Sequence, residues 1–125
     1  MGLDMYLFRR LRDGSAEDQE AAYWRKANHI HKWFVDHVQD GVDDCKFHNE
    51  FTKERIEELL DTCQTVIEQP HRAEELLPTK SGFFFGSTSY DDSYFEEVES
   101  TIRMLNVVLE ETDFDTEAIY YLSWW

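Results

Sequence analysis

Ala118-Ile-Tyr-Tyr-Leu-Ser-Trp-Trp125 is dense in β-formers, and the opening Leu3-Asp-Met-Tyr-Leu-Phe8 alternates imperfectly between large apolar groups and others. Branched and aromatic side chains fit the pleated surface of a strand, so both ends of the chain read as strands, and antiparallel pairing between them is the simplest way to cover their apolar faces. The basic segment Arg9-Arg-Leu-Arg12 ends the first strand, and Asp13-Gly-Ser15 breaks it.

Between the two strands the apolar period changes to that of a helix. Trp24, Ala27, His31, Phe34 and Val38 recur at helical spacing, which predicts a helix over 16–39 stopped by Gly41. Thr52 to Glu68 places Ile56, Leu59, Leu60, Cys63, Val66 and Ile67 on one face and is closed by Pro70. A short helical turn over 71–77 follows, ended by Pro78. A third main helix begins near Tyr90, with Thr88 or Ser89 as cap and Asp91 or Asp92 in its first turn. Its apolar stripe is Phe95, Val98, Ile102, Leu105 and Leu109. The expected architecture is α+β: three main helices packed on a small antiparallel sheet formed by the N- and C-terminal strands, as one domain over 1–125. No internal repeat, linker or low-complexity tract divides it.

Composition supports a folded chain. At 125 residues a single domain buries roughly two-thirds of the surface its unfolded chain exposes. The hydrophobic content of 42% argues against the disorder that a net charge of -15 would otherwise suggest. No apolar run approaches the ~20 residues of a membrane span, and the first residues lack a signal-peptide pattern, so a cytosolic location is expected. Cys45 and Cys63 are too few for a disulfide framework and are expected to remain reduced.

The charge is unevenly placed. Residues 1–39 hold six acids and six bases, 40–75 hold eleven against four, and 91–117 hold ten against one. Such a field repels nucleic acid and anionic membrane and steers basic protein surfaces toward itself. The carboxylates Glu54, Glu57, Glu58 and Asp61 on one helix, and Asp91, Asp92, Glu96, Glu97 and Glu99 on another, form rows able to compete with nucleic acid for a basic groove. An ordinary solubilising surface has the same composition.

A second candidate is Tyr23-Trp-Arg-Lys-Ala-Asn28 with His31. On a helix Trp24, Asn28 and His31 project close together. If that stripe edges a cleft, Trp24 stacks on a planar ligand, Arg25 takes a phosphate, and Asn28 and His31 bond to it, with Tyr23 and the Gly86-Ser87-Thr88 loop alongside. Read structurally, the same groups anchor a helix face by hydrogen bonds within the fold. The glycines of Gly82-Phe-Phe-Phe-Gly-Ser-Thr88 permit tight turns around three core aromatics, and the Gly-x-x-x-x-Gly-Lys-Ser/Thr phosphate loop is absent. On a helix His29 and His31 point about 200° apart and cannot share an ion. With His37, His48, His71 and the two cysteines they give no zinc spacing, so no metal or cofactor is implied. No Gly-x-Ser-x-Gly elbow appears, and no residue is assigned a catalytic role.

Taken together, Met1-Gly-Leu-Asp-Met-Tyr-Leu7, Tyr23-Trp-Arg-Lys-Ala-Asn28, Ile30-His-Lys-Trp-Phe-Val35, Leu76-Leu-Pro-Thr79, Gly82-Phe-Phe-Phe-Gly-Ser-Thr88 and the Tyr-rich, Trp-terminated end resemble a family of small phage and prophage proteins. Its members often bear the label phosphoglycerate kinase. That kinase is a two-domain enzyme several times longer, so the label is not carried over. The resemblance implies a phage setting and no catalytic assignment. Leu122-Ser-Trp-Trp125 departs from the family's more usual Ser-Ser-Trp ending, which leaves no role to transfer to Ser123. A small acidic protein in that setting is expected to block a basic host component, a CRISPR effector or other defence nuclease being the natural target. The second expectation is a protein that binds or hydrolyses a nucleotide-type small molecule.

Overall fold

The computed structural model describes residues 2–47, 49–82 and 85–125. Two antiparallel pairings build the sheet. Strand β1 (Asp4–Leu11) lies in the middle, flanked by β2 (Gln19–Arg25) and β3 (Glu117–Trp124), in the order β2-β1-β3. The expected pairing of the two ends is present: Met5 faces Ser123, Leu7 faces Tyr121 and Arg9 faces Ile119.

Strand β2 replaces the first half of the helix expected over 16–39. Here Ala22 and Trp24 are buried while Tyr23 and Arg25 are exposed, which is a period of two rather than 3.6. The run ends at Lys26, whose φ of 56° is incompatible with helix continuation, and only then does α1 (Asn28–His37) begin. Trp24 therefore falls on the helical stripe by coincidence of spacing. A register irregularity between Leu7 and Phe8, where Ala22 and then Glu20 are the partners, leaves Ala21 as an extra residue on the edge strand. Helix α1 ends at His37 with Val38 as its cap, earlier than the stop expected at Gly41, and the chain then turns where Asp40 and Gly41 both take positive φ and the Gly41 N–H returns to the Val35 carbonyl at 2.7 Å.

Helix α2 (Lys53–Glu68) starts where Thr52 accepts the Arg55 N–H. A 3-10 turn (Pro70–Arg72) and the short α3 (Ala73–Leu76) follow. Helix α4 (Asp92–Glu111) is capped by the Asp91 carboxylate, which accepts the Tyr94 N–H, and not by Thr88 or Ser89. A carboxylate is the stronger partner for the positive end of a helix dipole, and Ser89 lies too far upstream to reach that N–H. Of four α-helices, α3 is the brief one expected as a turn. The deepest residues of α4 are Tyr94, Val98, Thr101, Leu105 and Val108, with Phe95, Ile102 and Leu109 beside them. The stripe read from the sequence is thus rotated slightly toward its edge.

The helices cover one face of the sheet. Met5, Leu7, Trp24, Ile119 and Tyr121 from the strands meet Phe34 of α1, Phe51, Ile56, Leu59 and Cys63 around α2, and Leu105 of α4 in one core. Phe85 joins it; Phe83 and Phe84, expected to do the same, lie outside the described residues, as does His48. The opposite face of the sheet carries Tyr6, Phe8, Tyr23 and Tyr120, with Arg10 over the rings of Phe47 and Tyr120. No described helix is long and apolar enough to cross a membrane.

Candidate functional site

The residues of the expected ligand-binding stripe are divided between two sides of the sheet. Tyr23 and Arg25 point away from the core, and the Tyr23 hydroxyl donates to Asp4 at 2.6 Å, which raises its pKa. Trp24, Asn28 and His31 point inward and are buried. Each uses its polar atoms inside the fold. Trp24 Nε1 donates to Thr101 Oγ1 at 2.8 Å. Asn28 Nδ2 donates to the carbonyls of Phe85 (3.0 Å) and Ser87 (2.8 Å), while its Oδ1 accepts the Lys80 N–H at 3.0 Å. One side chain thereby pins two stretches of the 79–89 segment to the start of α1.

His31 sits in a buried relay. Asp43 accepts only, so at 2.8 Å it fixes the proton on Nε2, and Nδ1 then accepts the Tyr121 hydroxyl at 2.6 Å. Desolvation lowers the His31 pKa against the pull of Asp43, and burial holds the Tyr121 phenol well above its ordinary value. Trp125 Nε1 also donates to Asp43, at 3.2 Å, and Lys80 Nζ stands 3.7 Å from its other oxygen. His31 is fully buried and Tyr121 2% exposed, so of this row of Tyr, His and Asp the Asp43 carboxylate, 21% exposed, is the part that reaches the surface.

His29, two residues earlier, turns toward α4 as helical geometry requires. Its ring packs on that of Tyr94, tilted by 32° with centroids 4.2 Å apart, and Nδ1 lies 3.7 Å from Glu97 Oε2, beyond hydrogen-bond range. Nε2 is buried and meets no partner among the described residues. A cleft of about 190 Å³ opens here, walled by Lys26, His29, Ser87, Asp91, Tyr94 and Glu97 among others. Gly86 forms part of the same wall with φ 88°, and a Cβ there would stand 3.1 Å from Lys26 Cβ. Burial pulls the His29 pKa down to about 3, so the ring is neutral. Desolvation and then the charge of Asp91 push the Glu97 carboxyl up to about 7. Burial alone accounts for the His29 shift, and burial with the neighbouring Asp91 charge for that of Glu97, so the two make the cleft a candidate site on physical grounds.

Sequence reasoning assigned Gly86 and Ser87 to a site and missed Lys26, His29 and Tyr94 as their companions. The available signal was the opposite orientation of His29 and His31, which sends one ring to the sheet end and the other to a different helix. Thr88 stands apart from the cleft wall, its carbonyl accepting the Thr79 hydroxyl at 3.0 Å.

The acidic rows stand mostly as expected. Helices α2 and α4 pack against each other, and Glu54, Glu57, Glu58, Asp61, Asp91, Asp92, Glu96 and Glu99 are exposed. Glu97 alone is half-buried, because it faces His29. Within this set only Glu58 has a cationic partner among the described residues, Arg55 at 2.7 Å, apart from the contact of Glu97 with neutral His29. A broader hollow of about 530 Å³ between the start of α2 and the end of α4 is lined by Arg12, Glu50, Glu54, Asp113 and Asp115 among others. Its Arg12 is spent on Glu50, in two bonds of 2.9 and 3.0 Å.

Among the described residues no three His, Cys, Asp or Glu side chains are grouped to hold a metal ion. Cys45 and Cys63 are free thiols, and burial pushes Cys63 up to about 12, which makes it inert. Compared with known proteins, the chain finds no counterpart: no family model, no curated protein and no solved structure matches it.

Proposed function

We propose that this chain is an acidic binding protein that occupies a basic, nucleic-acid-binding surface of a host protein and inhibits it, an anti-CRISPR or similar anti-defence function in the phage setting its sequence blocks imply. The observation that carries the reading is the adjacency of α2 and α4 with their exposed carboxylates largely unpaired. Unpaired acids in rows generate a field that neighbouring bases do not cancel, which speeds encounter with a cationic groove and disfavours nucleic acid itself. Helix α4 contributes six acids against the single base Arg103.

Charge reversal at Glu57, Glu58, Glu96 and Glu99, all exposed, tests it. Tagged protein is used to capture partners from infected host cells at low salt, and what a step to ~0.5 M salt releases is identified. A nucleic-acid-binding protein captured by the native chain and lost with the reversed one supports the proposal. Capture that survives both the reversal and the salt step places the contact elsewhere and overturns it, as does the absence of any nucleic-acid-binding partner.

A further inference from the structure

Strand β2 is the free edge of the sheet. The opposite edge, β3, is covered by the segment that leads into α2: the Phe51 N–H donates to the Ile119 carbonyl at 2.8 Å and the Ser123 hydroxyl to the Asp44 carbonyl at 3.4 Å. Nothing comparable lies beside β2, whose backbone meets no partner other than β1 among the described residues. Which of its groups face outward follows from the ladder. The Lys26 N–H donates to the Leu3 carbonyl at 2.7 Å, and hydrogen-bonded pairs alternate along an antiparallel ladder, so Trp24 and Ala22 turn their N–H and C=O toward β1. Those of Tyr23 and Arg25 point away from the sheet. The Tyr23 side chain does not screen them, since its hydroxyl is held by Asp4 and its ring leans toward that of Tyr6 with centroids 5.2 Å apart, both partners lying on β1.

An open edge is a template for another strand, and the charges on this one select which. Glu17 and Glu20 stand at its start, Arg25 and Lys26 at its end, and the stretch from Ala21 to Trp24 is uncharged. Asp18 is spent on Arg10. The other four are exposed and enter no ion pair among the described residues. Charged side chains commonly protect an edge against self-pairing by like-charge repulsion. Here the two signs sit at opposite ends, so a second strand of the same sequence running antiparallel sets acid against base twice. A segment of an unrelated protein has no reason to carry that reversed order, whereas a second copy carries it by construction.

We propose that this chain forms a two-fold symmetric dimer through antiparallel pairing of β2 with β2 of a second copy. The dyad passes through the pair of facing Tyr23 residues, which exchange N–H and C=O bonds. Arg25 then lies opposite Ala21 of the other copy, and Glu20, just beyond the bulge, comes within reach of the other copy's Arg25 and Lys26. Two three-stranded sheets join into one of six in the order β3-β1-β2-β2-β1-β3, with the helices of both copies on the same face. The bulge at Ala21 bends the strand and limits the pairing to the residues from there to Arg25. So short an interface lies at the small end of specific ones, below about 1,200 Å² in total, and the dimer is expected to be reversible with a Kd on the order of 0.1 mM or below. Each copy carries a charge of -15, a repulsion that ~0.15 M salt screens beyond about 8 Å.

Sedimentation equilibrium of the full chain from about 5 µM to about 1 mM at ~0.15 M salt tests the dimer, and amide exchange by NMR at about 50 µM and about 1 mM tests its geometry. The mass is expected to rise from 15.0 kDa toward twice that value. Protection of the Tyr23 and Arg25 amides should grow with concentration, while that of Trp24, already bonded to β1, should not change. Glu20→Lys and Arg25→Glu, both at exposed positions, should each weaken association about tenfold, because each reversal sets like charges together at two places. The double variant restores acid against base in the opposite order and should recover association to within about threefold of the native chain. Association without added protection of Tyr23 and Arg25 places the dimer on another face and overturns the proposal, as does association unaltered by both reversals. A chain that is monomeric throughout overturns it too, and leaves an extended segment of another protein as the occupant of the edge.

Discussion

Trp24 on β2 and Thr101 on α4 are joined by a buried hydrogen bond of 2.8 Å, indole N–H to hydroxyl, across 77 positions of sequence. The hydroxyl in turn donates a hydrogen bond to the Glu97 carbonyl at 2.8 Å, so one side chain satisfies the indole and stays within its helix. Thr101→Val keeps the shape and leaves the indole N–H without an acceptor. The expected cost is about 1–3 kcal/mol in urea unfolding. Thr101→Val in a Trp24→Phe background should cost about 1 kcal/mol less, since the orphan is then absent. A Thr101→Val variant as stable as the native chain would show that the bond contributes nothing.

The His31 relay predicts a local effect as well as a global one. Tyr121→Phe retains the stacking on Phe34, whose ring lies parallel within 5° at 3.8 Å, but removes the donor to Nδ1. It is expected to cost about 1–2 kcal/mol. Asp43→Ala removes the acceptor of Nε2 and of Trp125, and with it the tie between α1, the segment after Gly41 and the end of β3. Amide exchange of Val42 and Cys45 should accelerate in Asp43→Ala and much less in Tyr121→Phe. Equal protection in all three proteins would mean that Asp43 does not hold that segment.

The sequence was legible where one period ran undisturbed between clear signals. β1 and β3 were visible as ends rich in large apolar and aromatic residues, α2 through Thr52 and Pro70, and α4 through a long stripe. Residues 16–39 were misread because Trp24 and Ala27 extend the stripe of α1 backward by accident of spacing, while Ala22 and Trp24 obey a strand's period at the same time. No propensity rule foretells that Lys26 takes a left-handed conformation, since that depends on its N–H reaching the Leu3 carbonyl at 2.7 Å. The acidic rows were readable because surface charge follows directly from helical phase. The cleft was not, because His29, Gly86 and Glu97 come from three separate segments and meet only through tertiary packing.

Gly86 tests how closely the 85–89 segment must approach the Lys26 turn. Its φ of 88° disfavours any side chain, and a Cβ would stand 3.1 Å from Lys26 Cβ and 3.2 Å from the Lys26 carbonyl oxygen. Gly86→Ala is expected to destabilise by about 1–3 kcal/mol. It should also displace the segment that Asn28 holds, so Ser87 and Lys80 amide resonances should move together. Shifts confined to the immediate neighbours of position 86 would contradict that coupling.

His29 and Glu97 pull the pH dependence of stability in opposite directions. The folded imidazole titrates at about 3 and the unfolded one near its ordinary ~6.5, so as pH falls through ~6.5 the unfolded chain takes up a proton that the folded chain refuses. Stability is therefore lost on acidification, by up to about 1.4 kcal/mol per pH unit between pH 6 and pH 4. His29→Phe keeps a ring against Tyr94 and should flatten that slope, leaving the smaller contribution of His31, whose pKa is lowered too. Glu97 reverses the sign: the folded carboxyl holds its proton up to about 7 while the unfolded one releases it near its ordinary ~4.3, so stability falls as pH rises through that window. Glu97→Gln should consequently gain on the native chain above pH 7 and lose that advantage below pH 5. Thermal unfolding of the three proteins from pH 4 to pH 8 separates the two groups. Parallel curves would mean that neither side chain carries the buried or desolvated character from which the cleft draws its chemistry.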